Sequence, residues 1–271
     1  MREHAQALPD GHSLVYAEGP PNGPPVLLIH GLTGWWRSWE AWIPTLVEQW
    51  HVLAVDLRGH GSSGRVSGRY RVTDYAADMV AFVNSRTDRP PAIVGISLGA
   101  LVAIGAAAEL GVQVTALVLL DPPLFLRDSS ISAVPEQEAW FRWVHQATRT
   151  PAANADELLQ QLGALYPEAG EAIVAETAAK LAKLAPDTVL APLEGTLFDD
   201  FDIANSLKRV RCRTLLLHGK QSLGSVVREA DVQLVKTHVD GIVIRQLAHV
   251  GHGLEVDPVA LEEVRHFLQE G

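Results

Sequence analysis

The sequence predicts an α/β fold, in which a mostly parallel, doubly wound sheet carries a helical cap insertion. Short apolar runs recur along the chain, at residues 26–30, 51–57, 92–96, 116–121, 214–218 and 242–247. These runs are apolar on both faces, which is typical of strands buried between two helical layers. Segments with helical periodicity separate the first four runs, and repeated strand–helix–strand units favour a parallel sheet.

One segment between the early strands shows the helical pattern clearly. Tyr75, Met79, Phe82 and Val83 fall on one face of a helix, and we expect Thr73 to cap its first turn. An amphipathic helix of this kind buries its apolar face against the sheet.

The alternation of strands and helices stops between residues 124 and 206. That stretch is rich in Ala, Glu, Leu and Gln and is interrupted by prolines, Pro151 among them. Such a composition predicts several short helices rather than further strands. We therefore expect a core formed by residues 1–123 and 207–271 and a helical cap formed by residues 124–206.

The composition and net charge of the chain limit the classes of partner that it can bind. The chain has 271 residues, 47% of them apolar, and a net charge of -10 from 22 Lys and Arg against 32 Asp and Glu. The negative charge disfavours nucleic acid and anionic membranes. The single cysteine, Cys212, allows no internal disulfide and is typical of a reducing compartment.

The stretch from Ala92 to Ala108 is uncharged and mostly apolar, so a membrane helix has to be considered. Gly95 and Gly99 within it favour a sharp turn instead, and we interpret it as strand, turn and helix. The first residues show no apolar run ahead of a cleavage site. We expect a cytoplasmic protein without membrane insertion, either a monomer or a homodimer.

The strongest motif is a G-x-S-x-G sequence, from Gly95 to Gly99, with Ser97 at its centre. An apolar strand precedes it and an Ala- and Leu-rich helix follows it, the context that a nucleophile turn requires. The hydroxyl of Ser97 would project near the positive end of that helix, which favours the negative charge of acyl transfer. A glycine-rich packing turn is the alternative.

A second glycine-containing loop, from His30 to Gly34, directly follows the first confident strand. Gly31 and Gly34 allow a close approach of backbone amides to a ligand. Together with the serine turn, this loop predicts an oxyanion hole formed by the amides of Leu32 and Leu98. Each such donor contributes about 3 kcal/mol to transition-state stabilisation. Taken alone, the loop would be an ordinary strand–helix connection.

A third motif runs from Asp56 to Gly64. Its residues show no metal-ligand spacing and only a loose scatter of glycines that phosphate binding could use. We interpret Asp56, Arg58 and His60 as structural, and we expect neither a metal nor a cofactor.

The candidate base lies in the loop that precedes the last helix. His249 and His252 both follow the final strand, at the edge of a parallel sheet where catalytic sites cluster. His252 is favoured because Gly251 and Gly253 flank it and allow the loop to turn its ring inward.

Together these motifs resemble the α/β-hydrolase superfamily over residues 12–123 and 207–271. The resemblance implies Ser97 as nucleophile, His252 as base, and the Leu32 and Leu98 amides as oxyanion donors. Ser97 separates the chain from members with aspartate at that position, such as haloalkane dehalogenases and epoxide hydrolases. The resemblance is to the serine-nucleophile branch that contains esterases and lactonases.

The third catalytic residue departs from the family pattern. The family usually places an acid just after the penultimate strand, but residues 218–225 contain no carboxylate. A minority carries the acid after the strand that follows the nucleophile strand, where this chain has Asp121. That residue is also a plain turn candidate ahead of two prolines. Glu229, Asp231 and Glu136 are the other candidates.

Several apolar residues are candidates for the pocket wall, and we expect about one third of them to contact substrate; they are Trp35, Trp36, Trp39, Leu124, Phe125, Trp140, Phe141 and Trp143. No cluster of Arg or Lys marks a coenzyme A or phosphate handle. The sequence therefore predicts hydrolysis of a small or medium hydrophobic ester or lactone through an acyl-enzyme on Ser97. A carbon–carbon bond hydrolase, a perhydrolase and a hydrolase-like receptor without turnover are the alternatives.

Overall fold

The computed structural model describes residues 1–149 and 155–270. Its strands are β1 (Arg2–Ala7), β2 (Ser13–Glu18), β3 (Pro25–Ile29), β4 (His51–Val55), β5 (Ala92–Ile96), β6 (Ala116–Leu120), β7 (Arg213–His218) and β8 (Val243–Gln246). They form one sheet in the order β1-β2-β4-β3-β5-β6-β7-β8. The β1–β2 and β2–β4 pairs are antiparallel and all other pairs are parallel. The predicted mostly parallel sheet is confirmed.

Helices cover both faces of this sheet. Within the described residues they are α1 (Ile43–Leu46), α2 (Val72–Arg86), α3 (Leu98–Leu110), α4 (Pro135–Thr148), α5 (Ala155–Leu165), α6 (Glu171–Leu181), α7 (Leu190–Glu194), α8 (Ile203–Arg209), α9 (Glu229–His238) and α10 (Pro258–Gln269). Buried side chains of α2, α3 and α9 form one apolar cluster, and those of α1 and α10 form the other. None of these helices combines the length and the apolarity that crossing a membrane requires.

Strand β3 shows why its sequence is apolar throughout. Val26 and Leu28 belong to the cluster on one face of the sheet, while Leu27 and Ile29 belong to the cluster on the other. Successive side chains of a strand point to opposite faces, so a strand between two helical layers buries every residue.

The sequence patterns did not predict β1. Its residues, Arg2–Ala7, are mostly exposed, and the strand pairs only with β2 at the edge of the sheet. A mostly exposed edge strand needs no apolar face, so its sequence carries no periodic signal.

The start of α2 differs from the prediction. The helix begins at Val72, and Arg71 occupies the capping position, so Thr73 lies inside the first turn. The Oδ2 atom of Asp74 accepts the amide of Arg71 at 3.2 Å. The prediction of a Thr73 cap is wrong because the Asp74 carboxylate satisfies this end of the helix instead.

The stretch predicted as a cap contains helices α4 to α7 and no strand among its described residues. The predicted boundary after residue 206 falls within α8, which packs against α3 and α9. Residues 150–154, and Pro151 with them, lie outside the described residues. The division into core and cap stays a prediction.

A buried ion pair fastens the loop after β4 to α2. The guanidinium of Arg58 is 1% exposed, and its Nε donates to Oδ2 of Asp78 at 2.7 Å. Burial lowers the pKa of Arg58, but the hydrogen bond and charge of Asp78 outweigh it, so the net shift is upward. The loop between Asp56 and Gly64 is thereby held against the helical layer.

Replacing Asp78 with Ala should lower the free energy of unfolding by about 3 kcal/mol, because it leaves a guanidinium buried without its main partner. Urea denaturation followed by circular dichroism measures this change. The control is Glu109→Ala, which removes the exposed ion pair with Arg209 and should leave stability nearly unchanged. Equal losses in the two variants would show that Arg58 does not depend on Asp78.

Candidate active site

Ser97 occupies a sharp turn between β5 and α3. Its backbone has φ 54° and ψ -120°, and its amide donates to the carbonyl of Leu120 at 2.9 Å. A Cβ at Gly95 would lie 2.2 Å from the carbonyl oxygen of Gly99, and one at Gly99 would lie 2.2 Å from that of Ile29. Both positions therefore require glycine. The turn holds the backbone of Ser97 in a conformation that residues other than glycine rarely adopt.

Asp121 lies one residue past the end of β6, with φ 43° and no exposed surface. The Nδ1 atom of His252 lies 2.6 Å from its Oδ2. The amide of Val226 donates to the same oxygen at 2.9 Å, and the hydroxyl of Ser225 donates to Oδ1 at 2.5 Å. These donors compensate the buried carboxylate for its lost hydration.

The ring of His252 is about one third exposed. Burial lowers its pKa, but the hydrogen bond and the charge of Asp121, together with the charge of Glu255, outweigh this and raise the pKa above its ordinary value. Because Asp121 only accepts hydrogen bonds in its charged form, Nδ1 of His252 carries the proton, and Nε2 of the neutral ring is a free base.

Ser97 and His252 line one cavity of about 190 Å³. Trp140 and Phe141 of α4 form part of its wall. No hydrogen bond joins the hydroxyl of Ser97 to His252 in the described part of the chain. Such contacts are often long without substrate and tighten when it binds.

The apolar candidates for the pocket wall divide into two groups. Of these eight residues, only Trp140 and Phe141 line the cavity. The others lie outside the cavity wall, several of them packed into the apolar clusters; they are Trp35, Trp36, Trp39, Leu124, Phe125 and Trp143.

The amides predicted for the oxyanion hole belong to residues of the same wall. Leu98 is the first residue of α3, so its amide has no acceptor within the helix. The amide of Leu32 meets no acceptor among the described residues. Leu32 and Leu98 both line the cavity beside Ser97.

Two buried histidines anchor the loop that carries Leu32. The amide of Leu57 donates to Nε2 of His30 at 3.0 Å, so Nδ1 of His30 donates to the carbonyl of Gly31 at 2.7 Å. Burial, with the nearby His60, holds the pKa of His30 well below its ordinary value. Nε2 of His60 lies 2.6 Å from the carbonyl oxygen of Leu32. The two strand-end loops are therefore tied together behind the cavity.

His249, the other candidate base, lies outside the cavity. Its Nε2 lies 2.9 Å from Oδ2 of Asp257, the residue that caps α10, and its side chain is 52% exposed. Of the two histidines in this loop, the structure brings only His252 to Asp121.

The other candidate acids either pair with residues other than His252 or are exposed. Asp231 accepts from Arg127 and from the amide of Arg228. Glu229 pairs with its helix neighbour Gln233, and Glu136 is exposed on α4.

Sequence reasoning missed Glu255. Its side chain lines the cavity, and its Oε2 is buried without a hydrogen-bond partner. Burial raises its pKa, although a hydrogen bond from its own backbone and the charges of His252 and Lys180 act in the opposite direction. Lys180 also lines the cavity. The only sequence signal of Glu255 is its place three residues after His252, in the same loop.

Asp10, His12 and Asp78 offer ligand atoms within 4.8 Å of one another. Arg58 already binds the Asp78 carboxylate and lies 3.5 Å from Asp10. This guanidinium supplies the positive charge that an ion would bring, so the group carries no metal assignment.

The comparisons with known proteins agree with this architecture. The human serine hydrolase-like protein is 33% identical over 125 residues, 45% of this chain and 62% of its own length. The 2-(acetamidomethylene)succinate hydrolase of Mesorhizobium japonicum is 30% identical over 113 residues, 42% of this chain and 41% of its own. The match thus spans less than two thirds of either relative.

The esterase EaEST from Exiguobacterium antarcticum superimposes with a TM-score of 0.78 over 99% of this chain and 100% of its own. Only 17% of its residues are identical, so the likeness concerns the fold. The profile of the alpha/beta hydrolase fold family matches residues 24–207. This is more than half of the sequence, and the chain belongs to the alpha/beta hydrolase fold family.

Proposed function

We propose that the protein is a serine hydrolase that cleaves a small or medium hydrophobic carboxylic ester or lactone through an acyl-enzyme on Ser97. The observation that carries the proposal is the 2.6 Å contact between Asp121 and His252, at the wall of the cavity that Ser97 lines. The names of the two relatives, both hydrolases by name, support the same reaction class.

In the proposed reaction, Nε2 of His252 takes the hydroxyl proton of Ser97 while Oγ bonds to the carbonyl carbon. The amides of Leu32 and Leu98 donate to the oxygen that becomes negative. When the carbon–oxygen bond to the alcohol breaks, His252 returns the proton to the departing alkoxide. His252 then deprotonates a water molecule, which attacks the acyl carbon. The bond to Oγ breaks, the acid is released, and His252 returns the proton to Ser97. Asp121 holds the ring and stabilises the imidazolium.

The cavity volume supports a small substrate. At about 190 Å³ the cavity is smaller than the pockets of about 300 to 1,000 Å³ that hold drug-sized ligands. In this proposal residues 124–206 act as a cap whose α4 contributes Trp140 and Phe141 to the cavity wall.

The Ser97→Ala variant should lose the burst of p-nitrophenol that wild type releases from p-nitrophenyl acetate, because no acyl-enzyme forms. Stopped-flow absorbance measures the burst, and its amplitude should equal the enzyme concentration. Ser38→Ala, at a second serine of the cavity wall, is the matched control and should retain the burst. A stoichiometric burst in Ser97→Ala would remove Ser97 as nucleophile.

The acid limb of kcat/KM should lie above the ordinary imidazole pKa of 6.5. His252 accepts a proton only when neutral, so a raised pKa means that activity is present above that pKa and is lost as the pH falls through it. Asp121→Asn should move the limb to lower pH and reduce turnover by about 10⁴-fold. A pH series of initial rates measures both effects.

Asp257→Asn is the control for this pH series, because it changes a second histidine–aspartate pair that lies outside the cavity. Its acid limb should match that of wild type. If Asp121→Asn kept the wild-type limb and turnover, the acid would have to be another residue.

A substrate panel separates the proposed reaction from the two related ones. Short-chain esters and lactones should be hydrolysed to the acid with or without added peroxide, whereas diketones should give no Ser97-dependent product. A peracid as the main Ser97-dependent product from the esters with peroxide would favour the perhydrolase. Liquid chromatography of the products measures each reaction. Diketone cleavage as the faster reaction would favour the carbon–carbon bond hydrolase, and ligand binding without any turnover would favour the receptor.

A further inference from the structure

Among the described residues of the cavity wall, one buried side-chain oxygen has no hydrogen-bond partner. Oε2 of Glu255 is buried and accepts no hydrogen bond from any residue that the structure describes. Buried polar atoms in folded proteins nearly always have a partner, and a lone carboxylate oxygen is among the most costly exceptions. Since Glu255 lines the cavity that holds Ser97, a group that enters this cavity is the available partner.

A complementary charge lies on the same wall. Lys180, near the end of α6, lines the cavity and lowers the pKa of Glu255 through its charge. No ion pair within 4.0 Å joins the two side chains in the described ranges, so neither satisfies the other directly. The cavity thus presents one acceptor and one donor that a bound group can use together.

The other residues of the cavity wall limit which chemical groups can bind there. Apolar side chains that line the same cavity include Leu126, Ile131 and Val226. A purely hydrocarbon acyl group would fill this space but leave Oε2 of Glu255 without a donor. A group that both donates and accepts a hydrogen bond would satisfy both charged side chains, and a hydroxyl or a primary amide is the smallest that does so.

We propose that Glu255 and Lys180 form a polar subsite that binds a hydroxyl or primary amide on the acyl part of the substrate. Glu255 accepts a hydrogen bond from this group and Lys180 donates one to it. The preferred substrates are then short esters or lactones that are apolar apart from this group. The inference rests on the proposed function, since it assigns a substrate class to the same cavity.

The test compares matched esters on wild type and on Glu255→Leu. The probes are the p-nitrophenyl esters of butyric acid, of its α-hydroxy and β-hydroxy derivatives, and of succinamic acid. In wild type, kcat/KM for the best polar ester should exceed that for the butyrate by about tenfold or more, because the butyrate leaves a buried polar group unpartnered. In Glu255→Leu this ratio should fall to about one.

Glu194→Leu is the matched control, since it makes the same substitution at an exposed glutamate outside the cavity. It should keep the wild-type ratio. If Glu255→Leu does not fold, Lys180→Met provides the same measurement and should also lower the ratio.

Two results would overturn the subsite. One is a wild-type ratio near one for every polar ester. The other is an equal loss on butyrate and on polar esters in Glu255→Leu, which would mean that Glu255 acts on His252 or on the fold and not on the substrate.

Calorimetry with the Ser97→Ala variant distinguishes a failure of the subsite proposal from a failure of the proposed function. The intact esters should bind with the same preference, about tenfold in Kd, without being cleaved. If wild type cleaves none of the esters, the proposed function fails, and the calorimetric preference alone decides the subsite. If wild type cleaves them but Ser97→Ala binds all four equally, only the subsite fails.

Discussion

The parallel register of β5, β6 and β7 is the constraint on which the rest of the candidate site depends. Ile96 pairs with Leu120, and Leu120 pairs with Leu217, so the three strands end at the same edge. Ser97 and Asp121 each follow directly, both with positive φ. Each amide donates to the end of the next strand, that of Ser97 to Leu120 and that of Asp121 to Leu217. Sheet hydrogen bonding therefore holds both strained residues in place.

This register explains how an acid after β6 can serve a histidine 131 residues later. The carboxylate must lie within hydrogen-bond distance of the imidazole and must fix the orientation of its ring. Neither requirement depends on the order of residues in the chain. The loop after β7, where the family usually places its acid, here supplies Ser225 and Val226 as donors to Asp121. The same loop thus supports the buried carboxylate of Asp121.

Burial sets the electrostatics around the cavity. His30 and His60 are fully buried, and burial lowers the pKa of both, while their ring nitrogens make hydrogen bonds behind the loop of Leu32. His252 is the contrasting case, because the carboxylate of Asp121 outweighs burial and raises its pKa. The pKa values of these three histidines are therefore shifted in different directions, because their burial and their partners differ.

The sequence by itself determined what depends on neighbouring residues. Strand β5 has the predicted bounds, and the turn at Ser97 follows from the glycines that its backbone requires, because periodicity and local sterics are written in adjacent positions. The flanking glycines favoured His252, but only the tertiary structure paired it with Asp121, paired His249 with Asp257, and brought Glu255 to the cavity wall. Those outcomes depend on distances between residues far apart in the chain, which no local pattern records.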